Sequence, residues 1–183
     1  MSKRFTSNDA AVQLVLVPVE VTEPSLIDSI CRFRVQVWAA TGCLAPDAFP
    51  NGIWRDELDD TCKHLVVMQG ERILAAARWS LHRSVDELPE AKQYQRLHLQ
   101  LEGPIGVVER VVACPSVPHL GLSRVLLDAI EAKLRAAGAR YELGQASPSM
   151  VRLSLRRGRH IVGPAAPDPR FPGVEFQIML IRL

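Results

Sequence analysis

The stretch IGVVERVVACPSVPHLGLSRVLLDAIEAKLRAAG, residues 105–138, constrains this chain more than any other. It predicts an apolar strand over Ile105–Ala113 that runs through a tight turn straight into an amphipathic helix. Leu126, Leu127, Ile130, Leu134 and Ala137 recur on one helical face, and Gly138 supplies a stop. Arg124 with Asp128, and Glu131 with Arg135, pair at i,i+4 on a more exposed flank. The turn asks for a further reason. Pro115 and Pro118 stand in it, no Asp or Glu occurs from 112 to 127, and Gly121 sits where the helix gains its first turn. The first N–H groups of a helix have no internal partner and its dipole favours an anion, provided the backbone comes close. Gly121 permits that approach, Ser123 and Ala113 are small, and His119 and Arg124 add positive charge. The competing reading is local: Gly121 relaxes a turn, Pro118 stiffens it, and Arg124 serves only Asp128.

The rest of the chain places this unit in a mixed sheet. Residues 12–21, VQLVLVPVEV, alternate as a strand, and Pro18, which cannot donate to a ladder, puts it at an edge. Thr22 as cap and Pro24 in the first turn open a helix carrying Leu26, Ile30, Phe33 and Val37 on one face, with Gly42 as a stop. Residues 45–61 are irregular and hold the acidic cluster DELDD. A hairpin follows, with strands at His64–Met68 and Arg72–Leu81 around a turn at Gln69-Gly70. Residues 85–101 predict a short helix plus loop. A strand over Arg140–Ala146, a helix opened by Ser147-Pro148 and closed by Gly158, a short strand at His160–Val162, a Pro-rich loop over 164–173 and an alternating strand over Val174–Leu183 complete the order. The expected fold is α/β (α+β mixed sheet): one domain over 1–183, with helices on both faces.

A chain of 183 residues suffices for one sizeable core. Its formal net charge of +2 is too small to argue for a nucleic-acid partner, none is expected, and no apolar run reaches membrane-span length. The start MSKRFTSNDA has no signal-peptide core, so a cytoplasmic location is expected. Cys31, Cys43, Cys62 and Cys114 lack paired C-x-x-C spacing and read as reduced thiols. Cys43, Cys62 and His64 could converge, but no spacing requires it, and no metal site is expected.

Strand IGVVERVVACP, turn PHLGLS and the helix after it resemble the acyl-CoA-binding motif of the GNAT superfamily of N-acetyltransferases. Ala113-Cys114-Pro115 stands at that motif's V-x-P, Gly121 at its first glycine and Ser123 at its second small position. DELDDTCKHLVVMQGERILAAARW resembles the preceding hairpin and YELGQASPSMVRLSLRRG the following strand and helix, so the resemblance spans about residues 12–183 in element order. Pro118 departs from the motif's Gln or Arg and removes a donor. Ser154 stands where many relatives have a tyrosine general acid, and Arg159 replaces a phenylalanine.

The resemblance implies a GNAT-like central sheet of about seven strands and an acyl-CoA-dependent N-acyltransferase, acetyl-CoA being the leading co-substrate. It implies direct transfer to a primary amine of a small molecule or peptide, in a monomer or homodimer. It also implies a bulge in the 105–113 strand, so that this strand splays from the next. The N–H groups of Val111, Val112 and Ala113 would then bind the pantetheine arm and thioester oxygen, and those of His119, Leu120, Gly121, Leu122, Ser123 and Arg124 the diphosphate. Glu109, the only carboxylate in the strand, is the candidate base; strict alternation puts it on the face of Val107 and Val111, with Arg110 opposite unless the bulge re-aims them. Its competing role is an ion pair with Arg78 or another basic residue. Ser154 is the candidate at the acid's position. Cys114 reads as a small core residue and His64 as a surface or strand-end histidine. The run Asp56, Glu57, Asp59, Asp60 reads as a solvated loop that borders the acceptor cavity and would attract a cationic amine, flanked by Trp38 and Trp54 as core or wall. The alternatives are a longer-chain acyltransferase related to acyl-homoserine-lactone synthases and a non-catalytic acyl-CoA-binding regulator.

Overall fold

In a computed structural model, residues 16–183 are described. Seven strands form one sheet: β1 (Val19–Val21), β2 (Lys63–Gln69), β3 (Arg72–His82), β4 (Ile105–Ala113), β5 (Tyr141–Ala146), β6 (His160–Pro164) and β7 (Gln177–Arg182), ordered β1-β2-β3-β4-β5-β7-β6. Only β4 and β5 run parallel, because α3 (Leu122–Ala136) crosses over between them; every other neighbouring pair is antiparallel. The remaining helices are α1 (Pro24–Ala40), α2 (Ala91–Gln95) and α4 (Pro148–Arg156).

Strand alternation sends each layer of side chains to its own helix. On one face Val66, Ala76 and Val112 meet Ile27, Ile30 and Phe33 of α1. On the other, Leu65, Val67, Ala75, Ala77 and Val108 meet Leu126, Ile130 and Leu134 of α3, all three fully buried, with Met150 and Leu153 of α4 alongside. Burying each of those leucines and the isoleucine stabilises the fold by about 1.5–3 kcal/mol. A third cluster packs Tyr94 of α2 against Ile105, Val107 and Leu143.

Some sequence expectations shift. β1 lies at the sheet edge, but its described part is only Val19–Val21 and leaves Pro18 outside; residues 12–15 lie outside the described residues. The N-cap of α1 is Glu23 rather than Thr22, and its side chain makes no capping bond. Ser147 caps α4 by position only, its hydroxyl meeting Ser149 Oγ at 3.0 Å. Ala137 is exposed, because α3 ends at Ala136 and the chain turns so that Ala139 is buried instead. β7 begins three residues later than the alternation suggested, after Val174, Glu175 and Phe176 have followed the irregular loop.

Candidate active site

β4 carries a bulge at the centre of the sheet. Ala76 pairs with Val112 and Arg78 with Glu109, so Ala77 alone opposes both Arg110 and Val111. Arg110 absorbs the extra residue with φ +56°, a left-handed conformation that costs a side-chain-bearing residue about 1–2 kcal/mol. The bulge resets the alternation. Val107, Glu109, Arg110 and Val112 share the α1 face, whereas Val108, Val111 and Ala113 share the α3 face. Strict alternation had paired Glu109 with Val111 and set Arg110 opposite; the bulge overturns both. β4 and β5 also part here. Their ladder runs only from Ile105–Tyr141 to Val108–Gly144, although both strands continue, so the edge of β4 beyond Val108 has no ladder partner on the β5 side. At the last closed rung a Cβ on Gly144 would lie 2.6 Å from the Val108 carbonyl oxygen, so only glycine lets the strands meet.

Beyond the parted strands a groove follows the turn into α3. It is lined by Ala113, Val117, Pro118, Gly121, Ser123 and Arg124, and across from them by Ser149, Leu153, Arg156 and Arg157 of the α4 segment. Gly121 has φ +62° and nothing within 4 Å of where its Cβ would be, so the backbone is bare toward the groove. The first helical bond in α3 is from Val125 N–H to the Gly121 carbonyl, leaving Leu122, Ser123 and Arg124 as the free leading N–H groups. The Leu120 N–H, expected among the anion donors, is bound to the Val117 carbonyl at 3.2 Å. The Arg124 side chain is exposed, 3.7 Å from Asp128; the His119 side chain is not described. Cys114 is half-buried, packed against the α1 cluster, while its sulfur accepts from Arg72 at 3.3 Å and lies 3.1 Å from Ser116 Oγ at the groove's rim.

On the α1 face three arginines and three carboxylates interlock. Arg34 and Arg78, both fully buried, converge on Asp59 at 2.8 and 3.2 Å. Arg78 also holds Asp56, and donates Nε and Nη2 to Glu109 Oε2 at 3.2 and 3.0 Å. Arg110 reaches Asp56 at 2.5 Å and lies 3.9 Å above the Trp54 ring. Burial opposes ionisation of Asp59, yet Arg34, the Asp56 N–H and Arg78 hold its carboxyl below the usual carboxylate range. Burial also opposes charge on Arg78, but Glu109, Asp56 and Asp59 outweigh it and raise its pKa. Arg110 goes the other way, pushed down to about 10 by burial and by Arg78 beside it. His64 is fully buried rather than at the surface: Nε2 donates to the Asp59 carbonyl at 3.0 Å and Nδ1 accepts from Arg34 at 3.4 Å. Burial lowers its pKa, so it stays neutral and structural. Asp56 and Asp59 of the acidic loop are therefore neutralised within the fold, while Glu57 and Asp60 are exposed.

Of these groups, Glu109 and Arg110 line a cavity that passes through the gap between β4 and β5. Trp38, Trp54, Phe171 and Phe176 enclose it on the α1 side. Val108, Leu127, Met150 and Met179 enclose it on the α3 side, where Ser154, Glu142 and Arg159 also line it. Arg159 Nε and Nη2 reach Glu142 Oε1 at 3.0 and 2.5 Å, and Nη2 reaches Glu131 Oε1 at 2.7 Å. Burial raises the Glu142 pKa against the pull of Arg159. Ser154 is buried on α4, a short hydroxyl where a phenol was the precedent.

The bulge brings Glu109 and Val111 to the cavity and the turn brings Gly121, Ser123 and Arg124 to the groove. The Val112 side chain packs against α1. Glu109 makes the ion pair with Arg78, while its Oε1 has no hydrogen-bond partner among the described residues. Arg34 was missed, although a charge on the stripe of Ile30 and Val37 is a readable signal. Glu142, a charge between two apolar layers, was readable in the same way. Phe171, Asp168 and Arg170 come from the Pro-rich loop and carried no local signal. Among the described residues no cluster of His, Cys, Asp and Glu suits a metal, and no helix is long and apolar enough to cross a membrane.

A seven-stranded mixed sheet whose central parallel pair parts at a bulge, beside a glycine-opened helix, is the GNAT fold. The similarity to solved structures spans the chain: FeeM, an N-acyl amino acid synthase from uncultured soil microbes, aligns with a TM-score of 0.70 and 12% identity over 91% of this chain and 90% of that one. A protein from Desulfovibrio desulfuricans assigned to the GNAT family aligns at 0.62 and 17% identity over 92% and 99%. The AHL synthase LasI aligns at 0.60 and 14% identity over 90% and 91%. No family model and no curated protein matches the sequence.

Proposed function

We propose that this protein is an acyl-CoA-dependent N-acyltransferase that transfers a short acyl group to a primary amine of a small molecule or peptide. The observation that carries the proposal is the parting of β4 from β5 beyond the bulge, which leaves an open strand edge beside the groove at the α3 N-terminus and a cavity lined from both faces of the sheet. An extended pantetheine arm fits the open edge of β4 as a partial strand, with the diphosphate at the N–H groups of Leu122–Arg124. The amine enters from the aromatic α1 side, where Arg110 Nη1 is buried without a partner among the described residues and offers a donor. Glu109 Oε1 takes a proton from the amine, directly or through water. The nitrogen attacks the thioester carbon, an N–C bond forms, the C–S bond breaks, and the thiolate leaves and is protonated. Acetyl-CoA, the smallest donor, is the first to assay.

Release of free thiol from acyl-CoA in the presence of an amine panel, with the acylated product identified by mass spectrometry, tests this. Amine-dependent release is expected. The departures at Pro118 and Ser154 favour a second reading, a regulator that binds acyl-CoA without turnover; CoA binding with no thiol release from any pair would establish that and end the enzyme proposal.

A further inference from the structure

Resting on the N-acyltransferase reading, we infer that the acyl group this protein accepts is short and carries a hydroxyl, bound by Glu142 and Arg159. A thioester carbon at the gap between β4 and β5 has three ways out. One runs back along the pantetheine groove, and one opens to the α1 side, where the amine attacks. The third is the α3 side of the cavity, walled by Val108, Leu127, Met150 and Met179, and the acyl tail occupies it. That end is not apolar throughout. Glu142 and Arg159 line it, with side chains only 3% and 4% exposed.

Their existing bonds leave a defined remainder. Arg159 uses Nε and Nη2 on Glu142 Oε1 and Glu131, so its Nη1 is buried without a partner among the described residues. Glu142 accepts through Oε1, and its Oε2 is likewise buried and unpartnered among them. One free donor and one free acceptor therefore belong to a single bonded pair. Leaving such groups unmade in a low-dielectric site is costly. An alkyl tail satisfies neither. A carboxylate-ended tail would meet Nη1 but face the Glu142 carboxylate, with Glu131 behind it. A hydroxyl satisfies both, accepting from Arg159 Nη1 and donating to Glu142 Oε2. The long-alkyl alternative is disfavoured on the same ground, because the polar pair lines the chamber.

Four-carbon donors isolate the tail chemistry: butyryl-, succinyl-, 3-hydroxybutyryl- and 4-hydroxybutyryl-CoA, each compared with CoA by titration calorimetry. One of the two hydroxylated donors is expected to bind about 10- to 100-fold more tightly than butyryl-CoA. In Glu142→Gln, the Arg159 donors hold the amide oxygen and turn the amide nitrogen toward the chamber. The hydroxyl preference should then fall, and acetoacetyl-CoA, whose keto group only accepts, should gain. In a Glu142→Leu/Arg159→Leu double variant, whose unchanged affinity for CoA reports that it is folded, butyryl-CoA should overtake the hydroxylated donors. Butyryl- or succinyl-CoA binding at least as tightly as both hydroxylated donors in the unmodified protein overturns the inference. A hydroxyl preference unchanged in Glu142→Gln does the same. If CoA itself does not bind, the acyl-CoA reading fails; if CoA binds and the tails are not distinguished, only this inference fails.

Discussion

Replacing Asp59 with asparagine tests whether the charge cluster beneath the cavity holds the fold together. Asp59 Oδ1 serves two buried arginines, Arg34 at 2.8 Å and Arg78 at 3.2 Å, and Oδ2 accepts from the Asp56 N–H at 3.0 Å. Asparagine keeps the shape but has one acceptor. If its oxygen faces the arginines, its amide nitrogen confronts the Asp56 N–H; if it turns over, the nitrogen confronts two guanidinium groups. Arg78 retains Asp56 and Glu109 in either case. Arg34 does not: it is left with the Trp54 carbonyl, the Cys31 sulfur and His64 Nδ1, a buried cation without a counter-charge among the described residues. Breaking one side of a buried pair costs about 3–5 kcal/mol. At about 2–4 °C per kcal/mol for a domain of this size, Tm should fall by about 6–20 °C in a calorimetric scan at pH 7. The pH profile gives a second readout. Because the folded pKa of Asp59 is depressed, its contribution is full above the unfolded carboxylate value, near 3.9, and is lost as pH falls through the folded value. The gap between the two proteins should therefore narrow below about pH 4. A variant melting within 2 °C of the unmodified protein at pH 7 would refute the reasoning.

Glu109→Gln should lower kcat by roughly 10²–10⁴-fold with CoA affinity intact if Glu109 is the base. Because Arg78 keeps two other carboxylates, the stability cost should stay near 1.5–3 kcal/mol, and a stable variant with unchanged turnover would exclude both roles. Gly121→Val puts a β-branched side chain at φ +62° against the groove, so calorimetry should show clearly weaker CoA binding; equal affinity would move the diphosphate elsewhere. Gly144→Ala drives a Cβ to 2.6 Å from the Val108 carbonyl, which should cost about 1–3 kcal/mol and lower Tm by several degrees; an unchanged melt would mean the last rung of the β4–β5 ladder is not tight.

The order of elements was legible in the sequence, because apolar spacing of two or of about 3.6 residues, first-turn prolines and stop glycines act over a few neighbours. So was the turn from Pro115 to Gly121, where small residues and the absence of acid act locally on the first N–H groups of α3. The candidate site was legible only in part. Whether Glu109 and Arg110 share a face depends on β3, where Ala77 alone opposes two residues of β4, and nothing within 105–113 states that count. Asp56 and Asp59 read as solvated acid, because their neutralising cations, Arg34, Arg78 and Arg110, sit on three other elements. Glu142 and Arg159 met in the same way, 17 residues apart across a helix. Local patterning chooses helix, strand and turn through short-range geometry. The pairing of charges and the re-aiming of a strand depend on which distant segments the sheet sets side by side, and only the tertiary structure decides that.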